Sequence, residues 1–375
     1  MSRDQMRVVH LTTVHNPRDN RIFNKECAAL AEAGFDITLM ATNAGDESVN
    51  GIRMVNLEPT KSRLGRLTIK QRQAWRELKK LQPHVLHTHD PECIPLVLAW
   101  KAAHRGRVKV IYDAHEDLVG QIADKRYMKA PVKAAARLYA RLVLMMANHL
   151  CDAVVVATPI IEKQWTNPSV TVVRNYPWLK DYPQYSEDGR DEVAGRVVYV
   201  GGLTQGRQFD EMVDATLAVD GATFVCAGPP SDTAKRRIDA LAGDERFDYR
   251  GVIGPKEVPD LLSTAAAGLV FLEPLPNYRE SLPTKLFEYM AAGVPFVASD
   301  FPYWRQLFGP ADAGVFVDTS DVPASAKVIG ELLADDERRA QMGRNGRRAI
   351  ETEFNFERDA PLLVDLTESL ASQVR

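Results

Sequence analysis

Two kinds of apolar spacing alternate along this chain. Short β-branched runs fill 7–12, 36–41, 52–56, 84–88, 108–113, 153–158 and 170–174. Between them, apolar residues recurring every three or four positions predict helices over 20–33, 68–81, 93–104, 132–150 and 160–165. Some runs, such as Ala153-Val154-Val155-Val156-Ala157, are apolar at consecutive positions. That suits strands covered on both faces, and hence a parallel sheet. A turn-rich stretch, 175–195, holds Tyr, Pro, Asp and Gly and predicts a linker. The alternation then restarts. Strands are expected at 196–200, 223–227, 247–250, 268–272, 295–299 and 314–317. Helices are expected at 209–219, 232–241, 256–266, 284–292, 302–307, 322–334 and 335–354, with a last one at 358–372. The pattern predicts an α/β chain of two doubly wound Rossmann-like domains facing a cleft, about 1–180 and 181–357. Ligands of such sheets sit at the carboxyl ends of the strands.

Composition agrees with this outline. The 375 residues suit two cores, and 45% hydrophobic content with a mean hydropathy of −0.24 excludes a disordered chain. No run reaches the ~18 apolar residues of a membrane span. The opening MSRDQMRVVHLTT lacks the apolar run of a signal peptide. Cys27, Cys93, Cys151 and Cys226 lie far apart, without a CxxC pair, and are expected as buried thiols in a reducing compartment. These features predict a cytoplasmic protein.

Charge adds a second division. Residues 1–185 carry a net +9 and residues 186–375 a net −12. The basic side chains concentrate in 61–80, where Leu64, Leu67, Ile69, Trp75 and Leu78 are interleaved with them, and in 125–141. Basic helices with apolar and aromatic residues on the other side fit an anionic membrane surface, and would make the protein peripheral on the inner face of the cell membrane. A solvated face of a packed helix gives the same pattern. Nucleic acid is disfavoured, because no binding motif accompanies the charge.

The segment 277–300, NYRESLPTKLFEYMAAGVPFVASD, carries the most chemistry. Pro283 fits the first turn of a helix, while Gly293 and Pro295 stop it before a strand. Glu280 then lies in the loop feeding the helix and Glu288 about one turn inside it. Backbone amides near Ser281, Leu282 and Thr284 would open outward at the helix N-terminus, with Lys285 adding a full charge: an anion site suited to a diphosphate. A carboxylate one turn on can take the two hydroxyls of a ribose. The turn Gly201-Gly202-Leu203-Thr204-Gln205-Gly206-Arg207 follows a strand and precedes a helix, and its glycines permit close approach to a ligand. In the first half, His115, Glu116 and Asp117 follow a strand. No ligand spacing or Asp-x-Asp motif supports a metal, and no cofactor is expected. His87, His89 and Asp90 end the neighbouring strand and read as a structural hydrogen-bonding cluster. The polar loop 15–21 offers His15, Asp19 and Arg21 either to a substrate or, through Asp19 or Asn20, to helix capping.

These segments resemble the retaining glycosyltransferases of family four, which have the GT-B fold. The resemblance rests on Glu280-SLPTKLF-Glu288-YMAAGVPFVASD, on 199–215 (YVGGLTQGRQFDEMVDA), on Thr158-PIIEKQ and on Val172-VRNYP. It implies transfer of a sugar from a nucleotide-diphosphate sugar, UDP-sugar favoured over GDP-sugar, to an acceptor hydroxyl with retained configuration and no metal. It implies that Glu288 binds the ribose, that Glu280 contacts sugar hydroxyls, and that His115 lies close to the donor sugar. Gly201, Gly202, Leu203, Arg207, Ser281, Leu282, Pro283, Thr284 and Lys285 would line the donor site, and Ile253 the base. His15, Asp19 and Arg21 would face the acceptor. Gly202 stands where the family usually has arginine, and Arg207 matches its later basic position. The final helix, 358–375, would return to the first domain. The basic half points to a lipid-linked acceptor in cell-envelope polysaccharide or glycolipid assembly. A GT-B-fold nucleotide-sugar epimerase and a non-catalytic sugar-binding protein remain as alternatives.

Overall fold

The computed structural model describes residues 2–60, 62, 65–115, 118, 122, 129–183, 185–186 and 191–374. Glu116 and Asp117, and Lys61, Arg63, Leu64, Lys125 and Arg126 of the basic segments, lie outside the described residues. The chain divides into two compact units, Met1–Asn175 with Glu357–Arg375, and Tyr176–Phe356.

The first unit is built on β1 (Arg7–Leu11), β2 (Asp36–Thr42), β3 (Ser48–Val49), β4 (Ile52–Leu57), β5 (Val85–Thr88), β6 (Lys109–Ala114), β7 (Ala153–Val156) and β8 (Val170–Val172). Among the described residues their order is β3-β4-β2-β1-β5-β6-β7-β8, parallel throughout except for the two-residue β3. The chain reverses its direction of growth between β1 and β5, so a crevice is expected where Leu11 and Thr88 end.

The second unit uses β9 (Arg196–Val200), β10 (Thr223–Ala227), β11 (Phe247–Tyr249), β12 (Ala267–Val270), β13 (Phe296–Ser299) and β14 (Gly314–Val317), all parallel in the order β11-β10-β9-β12-β13-β14. Its switch point lies between β9 and β12. Successive strand residues enter opposite layers: Val198, Val225 and Val270 pack with Phe287, Trp304 and Phe308, while Val197, Phe224 and Leu269 pack with Phe209, Met212 and Ile329. Two covered faces are the physical cause of the consecutive apolar runs.

Three local expectations need correction. The first part of the stretch taken as a linker is packed rather than free chain. Tyr176, Trp178 and Tyr182 are buried, with Tyr176 edge-on to Phe287 and Trp178 edge-on to Phe356. Its prolines and turns mask aromatic anchors that open the second unit's core. The helix expected over 20–33 starts as a wide π-type segment, Ile22–Cys27, before the regular Ala28–Glu32. That wider winding buries Lys25 and Glu26 together. The last helix, Phe356–Ser372, starts slightly earlier than expected. Asp359 accepts from the Arg174 amide and guanidinium, and Glu368 pairs with Arg3 at 2.6 Å, tying this helix to the first unit.

Candidate active site

At the end of β9 the chain turns through Gly201, whose φ of +150° suits glycine. A Cβ there would lie 2.3 Å from Lys285 Cε, and one at Gly202 would lie 2.5 Å from Arg207 Nη1. The two glycines are bare because two cationic side chains cross directly over them. This also accounts for Gly202 where similar proteins carry arginine: the Arg207 guanidinium fills that space and donates to the Gly202 carbonyl at 3.4 Å. The turn is braced from neighbouring loops. The Gly201 amide donates to Ala227 O, the Gly228 amide to Gly251 O, and the Glu273 amide to Gly206 O. The loops after β9, β10, β11 and β12 therefore meet here.

Lys285 comes from the first turn of Thr284–Ala291. Pro283 precedes that turn with extended angles, rather than sitting in it as the sequence suggested. No side chain caps this helix; in its first turn the Leu286 amide donates to Pro283 O, and the Thr284 and Lys285 amides have no partner among the described hydrogen bonds. Burial, then the nearby Arg207 charge, pushes the Lys285 ammonium down to about 8, opposed by Glu288. Neither Arg207 nor Lys285 enters an ion pair among the described residues. Two cations converging on a glycine turn beside a helix N-terminus have the chemistry that suits a polyanion. Glu288, one turn on, is partly buried and likewise outside the described ion pairs; Glu280 is exposed at the end of the short helix Pro276–Arg279.

The other donor-side positions fall into two groups. Ser281 locks the loop: its hydroxyl donates to Tyr278 O, and its carbonyl accepts from Trp304 Nε1, both at 2.9 Å. Leu282 is partly buried and Pro283 buried, while Ile253 is partly exposed in the loop after β11. Leu203 is corrected. Its side chain is fully buried in the core, its amide donates to Pro229 O and its carbonyl accepts from the Ser231 amide, so it shapes the turn and offers nothing to a ligand. Tyr199 was missed in the sequence. Its hydroxyl donates to Gly202 O at 3.2 Å, and the Lys285 ammonium lies 5.7 Å from its ring. The signal was its place one residue before the strand end that feeds the glycines.

In the first unit, the strand ends gather His15, Asp90, His89, Asp113 and His115. The His15 and His115 rings meet edge-on at 4.9 Å, and His15 Nε2 lies 3.3 Å from Asp90. Asp113 is fully buried and accepts from four donors: Arg21 Nε and Nη2 at 3.0 and 2.7 Å, His89 Nδ1 at 3.0 Å and His115 Nδ1 at 3.1 Å. Burial works against its charge, but Arg21 and His115 hold its carboxyl well below the usual range. Donation from Nδ1 to Asp113 leaves His115 with Nε2 as its acceptor nitrogen. Asp19 accepts from the Arg21 and Ile22 amides, which makes it a helix-starting residue. Arg21, grouped by sequence with acceptor-facing residues, is buried and turned inward on Asp113, Glu26 and the Val173 carbonyl. Of that trio, His15 and Asp19 keep part of their side chains exposed, at 22% and 31%.

Below these strand ends lies a buried layer that sequence reading did not assemble. His10 and His87 are register partners on β1 and β5, and Glu26 packs near them from the π-type segment. Burial lowers both imidazoles and raises the Glu26 carboxyl, which Arg21 opposes from 3.0 Å. Among the described residues two sets have metal-like spacing, His10–Glu26–His87–His89 and His89–Asp113–His115. In the second set the facing atoms are committed to each other. In the first, His10 Nδ1 and His89 Nε2 are 3.0 Å apart, a hydrogen bond.

The folds of both units and this arrangement define the GT-B class of α/β proteins. Residues 20–175 match the model of Glycosyltransferase Family 4 and residues 188–349 that of Glycosyl transferases group 1. The chain belongs to the family-four glycosyltransferases. A GDP-mannose-dependent monoacylated alpha-(1-6)-phosphatidylinositol monomannoside mannosyltransferase of Corynebacterium glutamicum is 32% identical over 42% of this chain and 39% of its own length. The chain spans between 28% and 39% of the length of the first curated relatives it matches. Sucrose-phosphate synthase from Thermosynechococcus elongatus has the same fold, with a TM-score of 0.75 at 20% identity over 98% of this chain and 100% of its own. Anabaena HepE in complex with UDP-glucose gives 0.71 at 14% identity over 97% and 100%.

Proposed function

We propose that this protein transfers a sugar from a nucleotide-diphosphate sugar to an acceptor hydroxyl, with retention and without a metal ion. The observation that carries the reading is the convergence of Arg207 and Lys285 over Gly201 and Gly202, with no carboxylate paired to either among the described residues. Two cations and an open helix N-terminus supply the charge that a diphosphate needs, most of all as it departs and its negative charge grows. In the step we assign, the bond from the sugar's anomeric carbon to the diphosphate oxygen breaks. The acceptor oxygen bonds that carbon on the same face, and its proton passes to the departing phosphate oxygen. Glu288 is assigned to the ribose hydroxyls, Glu280 and His115 to the sugar, and His15 to the acceptor. HepE's complex with UDP-glucose supports a UDP-sugar donor, and the mannosyltransferase's GDP-mannose makes a GDP-sugar the rival. The phosphatidylinositol monomannoside in the mannosyltransferase's name and the basic first half support a lipid-linked acceptor in cell-envelope assembly.

A thermal-shift panel of nucleoside diphosphates and their sugars tests the pocket. UDP and UDP-sugars should raise the melting temperature most, and Glu288→Ala should remove most of that shift. Shifts with GDP alone would reassign the base. Isomerised donor without transfer to any acceptor would point to an epimerase, and binding with neither transfer nor hydrolysis to a sugar-binding protein.

A further inference from the structure

Three histidines and a glutamate meet in the first unit where sugar transfer needs none of them. His10 on β1 and His87 on β5 are register partners, and His89 lies two residues beyond His87, stacked on its ring. All three therefore project from one face of the sheet. The π-type segment Ile22–Cys27 brings Glu26 to the same face. All four side chains are buried. Positions 10, 26, 87 and 89 are too scattered in the sequence to read as a ligand spacing. Parallel pairing of β1 with β5 creates one.

The ligand atoms, one from each residue, all lie within 4.8 Å of one another. His10 Nδ1 and His89 Nε2 are 3.0 Å apart, and His87 Nε2 and Glu26 Oε2 are 3.9 Å apart. These two distances bracket the about 3.3 Å between neighbouring ligand atoms around a tetrahedral zinc ion. Three features go beyond proximity. Among the described residues, His10 Nε2, both nitrogens of His87 and Glu26 Oε2 are buried without a hydrogen-bond partner. Orphaned buried polar atoms are costly, and a packed core avoids them. His89 donates from Nδ1 to Asp113 at 3.0 Å, so its Nε2 lone pair faces the layer. A carboxylate behind a histidine in this way is the support that zinc ligands usually have. Finally, Arg21 is shared by two buried carboxylates, Glu26 at 3.0 Å and Asp113 at 2.7 Å, and a divalent cation suits the surplus of negative charge.

We propose that His10, His87, His89 and Glu26 bind one zinc ion that pins the π-type segment to β1 and β5. Three imidazoles and a carboxylate are a donor set that suits zinc, and a buried set of four protein ligands is structural rather than catalytic. Binding shifts the His10 proton from Nδ1 to Nε2, and the ion replaces the hydrogen bond to His89. The ion takes no part in the sugar transfer proposed above, which stays metal-free.

The full-length protein, without a histidine tag, is prepared by expression with added zinc and by refolding with zinc, and its metal content is read by mass spectrometry. About one zinc per chain is expected, kept on dialysis against a chelator and released on unfolding. Refolding with cobalt should give the visible bands of a four-coordinate ion. His87→Gln and Glu26→Gln should each weaken zinc binding about a hundredfold or more, in competition with a chelating dye after refolding. His115→Ala, which changes the neighbouring His89–Asp113–His115 set, should keep the zinc. A wild-type chain without zinc from either preparation would overturn the proposal. So would a six-coordinate cobalt spectrum, unchanged zinc affinity in both ligand variants, or loss of the metal in His115→Ala. Where a substituted chain fails to fold, the wild-type metal content and cobalt spectrum decide. Thermal shifts with nucleoside diphosphates read the donor pocket separately, so each proposal can fail without the other.

Discussion

The charged groups of the two units are managed in opposite ways. At the strand ends of the first unit, Asp113 and Arg21 are buried and spend themselves on each other, on His89 and on His115. At the strand ends of the second, Arg207, Lys285 and Glu288 enter none of the described ion pairs, and the two cations crowd one glycine turn. A closed network stiffens whatever it holds, here the His115 ring. An arrangement of like charges without internal partners costs stability until an external anion arrives. The contrast teaches where to look for structural loss and where for functional loss.

The sharpest break of this comparison lies in the first unit. Asp113→Ala leaves Arg21 buried without its main counter-ion and should cost about 3–5 kcal/mol in a urea melt. A wild-type melt would show that the network holds nothing. Next in size, Arg207→Ala and Lys285→Ala should each lower turnover by about a hundredfold to a thousandfold, the scale of losing one preorganised charge-stabilising group. Their melting curves should stay near wild type, since neither removes an internal pair. Full turnover in both would end the charge-clamp reading.

A pH series sharpens the contrast further. Lys285 titrates near 8 in the free protein, so it is charged below that value and loses charge above it. Affinity for a nucleoside diphosphate, measured by calorimetry, should fall as pH rises through about 8. Lys285→Arg should flatten that fall, because a guanidinium stays charged. The smallest effect expected is a gain. Lys285→Met, which relieves the repulsion with Arg207, should stabilise the empty protein by about 0.5–1 kcal/mol while binding is lost. A destabilised Met variant would mean that Lys285 has an internal structural role.

Much of the second unit was legible because its signals are local. The run from Glu280 to Asp300 contains a loop, helix, stop and strand in order, and the helix Thr284–Ala291 and β13 lie where that run places them. The glycine turn was legible for the same reason. The first unit's site was less so, because its members are far apart in sequence. Nothing near His10 announces His87, 77 positions away, yet parallel pairing of β1 with β5 makes them neighbours. Arg21 looked like a loop residue open to substrate. Only the fold shows Asp113 and Glu26 closing around it. The helices of the two basic segments were indistinguishable as patterns, and packing separated them: Leu78 is wholly buried, while Leu138 is 60% exposed.

By itself, the sequence determined the alternation of strand and helix, the parallel sheets and the helix start at Thr284. Each follows from periodicity, propensity and capping, which act over a few residues. Tertiary structure alone decided which charges are consumed internally and which are left for a ligand, and which apolar stripe faces core or surface. Those outcomes depend on side chains brought together from distant strands and on the water removed between them.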